Sequence, residues 1–217
     1  MKDNYNIIKN QGLSNENLER YFIECFDDIV RLLKLYKCWT CISCLERGVC
    51  SAGPGDKSRK CPTCNDGQGI YEIANFQARA SKVGAVFEYA CMYLLSESFT
   101  IPVRRTSEIT RVYDFEIRDD IVIEAKGSPE RIINADGTKS DLSRPGLMRS
   151  DTMKKALENA TQWRRRFPNG RFYIITNALP IQYKAYRDEH VSGIYDITKS
   201  DQLDNFVRDV TTALFSK

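Results

Sequence analysis

The hexapeptide Ile121-Val122-Ile123-Glu124-Ala125-Lys126 constrains this chain more than any other stretch. Three consecutive apolar β-formers are too apolar for a strand with one wet face, so they belong in a sheet covered on both faces. Yet the run ends in a carboxylate and an ammonium. Strand side chains alternate, so Glu124 and Lys126 project from the same face. Upstream, Val112, Phe115 and Ile117 outline a second apolar strand, and Asp119-Asp120 supplies the turn of a hairpin. In that hairpin Asp114 comes opposite Glu124 and Lys126. Two carboxylates and a lysine at the end of a buried strand are costly unless they are paired or hold a cation.

The flanks give an α/β order. Residues 14–36 read as an amphipathic helix with Ser14 as N-cap and Cys25 on its apolar stripe. A long helix over 72–97 carries Phe76, Ala80, Phe87, Cys91 and Leu94 on its apolar side. A strand over 101–105 precedes the hairpin. Residues 127–150 read as a polar, turn-rich loop, long enough that a functional role is expected. A helix capped by Ser150 or Asp151 then runs to about residue 167. It is followed by a strand over 171–176, a short helix over 181–189, a strand over 194–198 and a helix over 201–215. From residue 72 the order is α-β-β-β-α-β-(α)-β-α.

Asp114 followed by Glu124-Ala125-Lys126 resembles the D…(D/E)-x-K core of the PD-(D/E)xK nucleases, the restriction-endonuclease-like superfamily. Tyr113 stands where the written motif has its proline, a departure common in that superfamily. The element order matches the superfamily core, so the likeness spans residues 72 onward. It implies a mixed central β-sheet flanked by helices, and hydrolysis of DNA phosphodiester bonds with Mg²⁺. Asp114 and Glu124, with the carbonyl of Ala125, would hold the ion, hard oxygen ligands of the kind Mg²⁺ takes. Lys126 would position or deprotonate the attacking water and stabilise developing negative charge. Gly84-Ala85-Val86-Phe87-Glu88 resembles the first core helix of the superfamily, where a glutamate often joins the metal site, which assigns Glu88 to it. Glu97 is the competing carboxylate near the end of that helix.

Six of the eight cysteines lie in one segment: Cys38, Cys41, Cys44, Cys50, Cys61 and Cys64. With no export signal at the N-terminus, disulfides are disfavoured and metal binding favoured. Two C-x-x-C knuckles fit a tetrahedral structural Zn²⁺ site. Cys61 and Cys64 form the second knuckle. Cys41 with Cys44, or Cys38 with Cys41, forms the first, and an iron–sulfur cluster on these cysteines is the runner-up. Residues 1–70 are thus expected as an N-terminal helix with a zinc module, and 71–217 as the nuclease core.

The net charge of +3 is too mild to indicate a nucleic-acid partner by itself. Its distribution says more. Arg131, Lys139, Arg144 and Arg149 crowd the loop after the carboxylate strand, and Lys154 and Lys155 begin the next helix. Read as first-turn residues, those lysines oppose the helix dipole, which a bound DNA phosphate would explain. The single histidine, His190, sits in a polar turn and carries no role, which sets histidine-based hydrolysis aside. No apolar run reaches the roughly 20 residues of a membrane span, so a cytoplasmic protein is expected. A stand-alone chain with an added zinc module looks most like a type II restriction endonuclease, acting as a homodimer on double-stranded DNA. A repair, recombination or modification-dependent nuclease is the alternative. A non-catalytic zinc-ribbon DNA-binding or scaffold protein is the alternative of another class.

Overall fold

The computed structural model describes residues 2–35, 39–41, 47–48, 70–72, 76–106, 112–133, 139–141, 144–182 and 188–216. The chain is a mixed α/β protein. Two helices open it, α1 (Lys2–Gln11) and α2 (Asn15–Leu35). Three short strands follow, β1 (Trp39–Cys41), β2 (Arg47–Gly48) and β3 (Ile70–Glu72), joined antiparallel in the order β2-β1-β3. Then come α3 (Phe76–Ser98), β4 (Arg104–Arg105), β5 (Phe115–Arg118) and β6 (Ile121–Lys126). A hairpin of β7 (Arg131–Ile133) and β8 (Lys139–Asp141) and a single 3₁₀ turn, Gly146–Met148, lead into α4 (Ser150–Arg166). The chain ends with β9 (Arg171–Thr176), β10 (Gly193–Asp196) and α5 (Ser200–Phe215).

The central sheet has five strands in the order β10-β9-β6-β5-β4. β4, β5 and β6 are antiparallel neighbours, whereas β6, β9 and β10 run parallel. The apolar run of β6 is therefore central and covered on both sides. Ile121 and Ile123 enter one core with Phe87 and Leu94 of α3 and Phe206 and Val210 of α5. Val122 faces the other way, with Phe172 and Ile174 of β9 and Met153, Ala156 and Trp163 of α4. Glu124 and Lys126 share the parity of Val122 and so lie on the α4 side. The turn Asp119-Asp120 closes the β5–β6 hairpin as the sequence indicates.

Several elements differ from the sequence reading. α1 had no expected counterpart. Its Tyr5 and Ile8 are buried with Leu18, Tyr21 and Phe22 of α2, and these join the same core as α3, so that core draws on both sides of residue 70. Ser14 does cap α2, its Oγ accepting the Asn17 N–H at 3.3 Å. The helix expected from residue 72 begins at Phe76, because Ile70–Glu72 pairs with β1 instead. The strand expected over 101–105 is only Arg104–Arg105. The expected loop 127–150 contains the β7–β8 hairpin and is pinned at both ends. Asn177 takes the Ser128 N–H on its Oδ1 at 3.1 Å and donates Nδ2 to the Ser128 carbonyl at 2.9 Å. Gly146 donates its N–H to Ser128 Oγ at 2.8 Å. It has φ +52°, and a Cβ there would meet Thr176 Oγ1 at 2.6 Å, so glycine suits the position twice over. The last strand ends at Asp196 rather than 198. Most of the short helix expected over 181–189 lies outside the described residues.

Candidate active site

Asp114 immediately precedes β5. Phe115 pairs with Ile123, so Asp114 comes opposite Glu124. Its main chain and side chain share one job. The Asp114 N–H donates to the Ile123 carbonyl at 2.9 Å, and its Oδ2 accepts the Ala125 N–H at 2.8 Å. The carboxylate thus extends the ladder one step past the end of the strand, which fixes its position.

Lys126 closes β6 on the same face. Its ammonium touches Glu124 Oε1 and stands 3.6 Å from Asp114 Oδ2 and 3.3 Å from the Ala125 carbonyl oxygen. Three oxygens therefore converge on one cationic position. Both carboxylates are nearly inaccessible, with Asp114 4% and Glu124 2% exposed. Burial pushes the Glu124 carboxyl up to about 7; the Lys126 ammonium pulls against this and Asp114 adds to it. For Lys126, burial pulls the ammonium down, but the charges of Glu124 and Asp114 outweigh burial and leave it raised. Lys126 is accordingly a cation at neutral pH.

Two residues that the sequence did not flag complete the surroundings. Asn159, on α4, donates Nδ2 to Glu124 Oε1 at 2.9 Å. That oxygen takes both Lys126 and Asn159, which leaves Oε2 with no partner among the described residues. Arg105, on β4, holds Glu88, its Nη2 and Nε lying 2.7 and 3.3 Å from Oε2. Glu88 is buried at the rim of the site, engaged by Arg105, and its charge adds to the upward push on Lys126. No sequence signal pointed to Asn159 or Arg105, since each meets its partner across elements. Glu97 lies elsewhere, bound to Lys9 of α1 at 2.5 Å.

Gly127 explains how α3 comes so close. A Cβ there would sit 2.1 Å from the Phe87 ring, so only glycine lets the strand end pass beneath the residue before Glu88.

Among the described residues no group of three or more His, Cys, Asp or Glu side chains is arranged around an ion. The donor set at the strand end is instead two carboxylates and the Ala125 carbonyl. Its chemistry suits Mg²⁺, which takes one or two carboxylates and completes its shell with water and phosphate oxygens. The Lys126 ammonium occupies the point where those oxygens meet.

The expected DNA-contacting residues divide into groups. Arg131 begins β7 and Arg144 precedes the 3₁₀ turn, and both are exposed. Lys139 begins β8. Arg149 is paired with Asp151 at 2.7 Å. α4 starts at Ser150, so Lys154 and Lys155 stand in its second turn, and the first turn holds Asp151, a favourable charge there. The helix-dipole reason for a phosphate beside these lysines therefore falls away. Geometry offers another, because Lys155 is exposed one turn before Asn159, on the helix face that reaches Glu124. Lys154 lies beside Glu158 at 3.8 Å.

Of the expected zinc ligands, Cys38, Cys44, Cys61 and Cys64 lie outside the described residues, and Cys41 is seen only as the last residue of β1, opposite Ile70. Cys25 and Cys91 are free and buried in the core, and burial pushes both thiols up, so both read as structural. No helix among the described residues is long and apolar enough to cross a membrane. Neither a family model nor a curated protein nor a solved structure matches this chain.

Proposed function

We propose that the protein is a Mg²⁺-dependent endonuclease that hydrolyses phosphodiester bonds of DNA, on a PD-(D/E)xK core. The observation that carries this reading is the gathering of Asp114 Oδ2, Glu124 Oε1 and the Ala125 carbonyl around the Lys126 ammonium at one strand end. The mixed sheet, with β4, β5 and β6 antiparallel and β9 and β10 added in parallel, supports it through the element order that the resemblance implies.

Asp114 and Glu124 would hold the ion, Glu124 through the Oε2 that its neighbours leave open. A Mg²⁺ ion held there would supply a water of lowered pKa and a counter-charge for the phosphate oxygens. Lys126 would position or deprotonate the attacking water and stabilise the charge that grows on the phosphate. Arg105 neutralises Glu88 and keeps that carboxylate from repelling the phosphate. The Cys38–Cys64 segment would hold a structural Zn²⁺, since soft thiolates and hard carboxylates select different metals. A nuclease of this kind acts most simply as a homodimer cutting both strands of a specific duplex site.

Incubation with supercoiled plasmid and Mg²⁺ tests the reading. Nicked and linear products are expected from the wild type, and none from Asp114→Asn or Glu124→Gln. Discrete fragments would mark a site-specific restriction enzyme and a smear a nonspecific nuclease. A wild-type protein that cuts nothing with Mg²⁺ or Mn²⁺ sinks the proposal and leaves a DNA-binding or scaffold role.

A further inference from the structure

Asp114 stands at an irregular point of the sheet. In a regular antiparallel pair a hydrogen-bonded residue exchanges both its N–H and its carbonyl with one partner. Asp114 divides them. Its N–H goes to the Ile123 carbonyl of β6 at 2.9 Å, and its carbonyl accepts the N–H of Thr106, the residue after β4, at 3.0 Å. The strand ladder alone therefore does not set the two backbone dihedrals of Asp114. Tyr113 adds no restraint of its own, since it lacks the ring that fixes φ in a proline. Thr106 supplies what is missing. Its Oγ1 lies 2.8 Å from the Tyr113 carbonyl oxygen and 3.1 Å from that of Asp114, and its one proton is shared between them. Those two carbonyls belong to the peptide planes on either side of Asp114. A planar peptide turns as a unit, so holding both planes holds φ and ψ between them. The direction of the Asp114 side chain follows from those angles, and its Oδ2 accepts the Ala125 N–H at 2.8 Å.

We propose that Thr106 is a positioning residue of the candidate site: its hydroxyl fixes the backbone at Asp114 and so aims the Asp114 carboxylate. This deepens the nuclease reading and rests on it for what the carboxylate holds. Arg105 and Phe115 form the last register pair of β4 with β5, so beyond them the Thr106 hydroxyl continues the work of the ladder. It bonds main-chain oxygens and no carboxylate, so its removal changes the aim of Asp114 and leaves the charges of the site as they are. A carboxylate aimed by its own main chain is ordered before an ion arrives, which reduces the ordering cost of binding.

The test is amide hydrogen exchange, read by NMR on the metal-free full chain, beside calorimetric titration of Ca²⁺. The Ala125 N–H reports directly, because its acceptor is the Asp114 carboxylate. Thr106→Val removes the hydroxyl at nearly constant volume, and Thr106→Ala removes it with no added methyl. Both are expected to speed Ala125 exchange roughly 2- to 10-fold, the range that one hydrogen bond gives, and to change Ile174 of β9 less. Ca²⁺ affinity should fall roughly 10-fold, the low end for groups that act through a metal ligand. Thr106→Ser keeps the hydroxyl and should restore both. Thr198→Val is the control beyond β10, where the lost hydroxyl bonds Asp196 at 2.6 Å; it should leave the Ala125 amide and the Ca²⁺ affinity unchanged. The proposal is overturned if Ala125 exchanges at the wild-type rate in the valine and alanine variants, or if Ile174 speeds equally. It is equally overturned if serine restores nothing, if Thr198→Val does as much, or if a wild type that binds Ca²⁺ loses none of that affinity in Thr106→Val. The exchange is read without metal. A protein that loses Ala125 protection in these variants but never cuts would sink the nuclease reading alone, and a plasmid-cutting protein whose Ala125 amide ignores them would sink this proposal alone.

Discussion

Two strand ends of one sheet, on either side of β9, bury carboxylates in opposite ways. At the end of β10, Asp196 is satisfied by its own turn. Its Oδ1 accepts the Thr198 N–H at 3.0 Å and the Thr198 hydroxyl at 2.6 Å. Gln202, from the first turns of α5, takes the Asp196 N–H at 2.9 Å. Burial raises the Asp196 carboxyl, and those local bonds act against it. At the end of β6, no partner is local to a turn. Asp114 comes from the previous strand, Lys126 must serve two carboxylates, and Asn159 reaches in from a helix 35 residues later. A carboxylate closed off by its own turn joins a strand to a helix. Two carboxylates pressed together over one lysine gain nothing for the fold that an apolar pair would not give more cheaply. Such a cluster persists because the surrounding sheet and helices hold it, and that pattern marks candidate sites of chemistry.

The widest test of this contrast removes the shared cation. Lys126→Met leaves two buried carboxylates facing each other, and breaking a buried pair in this way costs roughly 3–5 kcal/mol. Urea denaturation should show a loss of that order, and Glu124→Gln in the same chain should restore most of it. Lys199→Met is the control at the other strand end. It removes only a partly exposed contact to Glu19 and should cost less than about 1 kcal/mol. Equal losses from the two lysines would end the distinction between the regions.

Protonation sharpens the contrast next. Glu124 has a folded-state pKa raised to about 7 from an ordinary 4.5, so folding favours its protonated form. The stability linked to that proton is complete below the ordinary value and is lost as pH rises through the raised one. Without divalent metal, the wild type should therefore lose stability between pH 5 and pH 8 relative to Glu124→Gln, by at most about 3 kcal/mol at 1.36 kcal/mol per pKa unit. Asp196 is raised too, but it is common to both proteins and cancels in the difference. Lys126 is raised above its ordinary range, so its contribution is intact throughout this window. Parallel urea curves at pH 5, 6, 7 and 8 decide it, and an unchanging difference would show that Glu124 is not held above its ordinary range.

What the sequence disclosed follows the reach of each contact. Asp114, Glu124 and Lys126 were legible because strand alternation and a two-residue turn fix their faces. Ser14 was legible because its partner Asn17 is three residues away. Asn159 and Arg105 were not, since the phase of α4 over β6 and the approach of α3 to β4 come from packing that no short window contains. The β7–β8 hairpin escaped notice because it lacks the apolar alternation of a core strand, and α1 because it is short and mostly polar. The dipole reading of Lys154 and Lys155 failed by the few residues that separate α4's real start at Ser150 from the one assumed, an error to which any boundary is open.

The smallest effect concerns Asn159, one of the two contacts that distinguish the oxygens of Glu124. Asn159 and Lys126 both bind Oε1, so in the proposed site Oε2 would be the oxygen open to a metal. Asn159→Leu keeps the volume and removes the donor. The carboxylate can then rotate, and the ordered presentation of Oε2 is lost. Outer partners of this sort typically contribute 10- to 100-fold to metal affinity. Calorimetric titration of Ca²⁺ should show a loss near the lower figure for Asn159→Leu, because Lys126 still holds Oε1. Asn159→Gln, which keeps an amide on a longer arm, should recover part of it. Urea stability should change by less than it does in Lys126→Met, since the lost hydrogen bond to a charged group contributes only about 1.5–3 kcal/mol. At the other strand end, Asp196→Asn should leave Ca²⁺ affinity at the wild-type value. A Ca²⁺ affinity that Asn159→Leu does not alter would show that Glu124 orients itself from the strand alone, and that the helix contributes only packing.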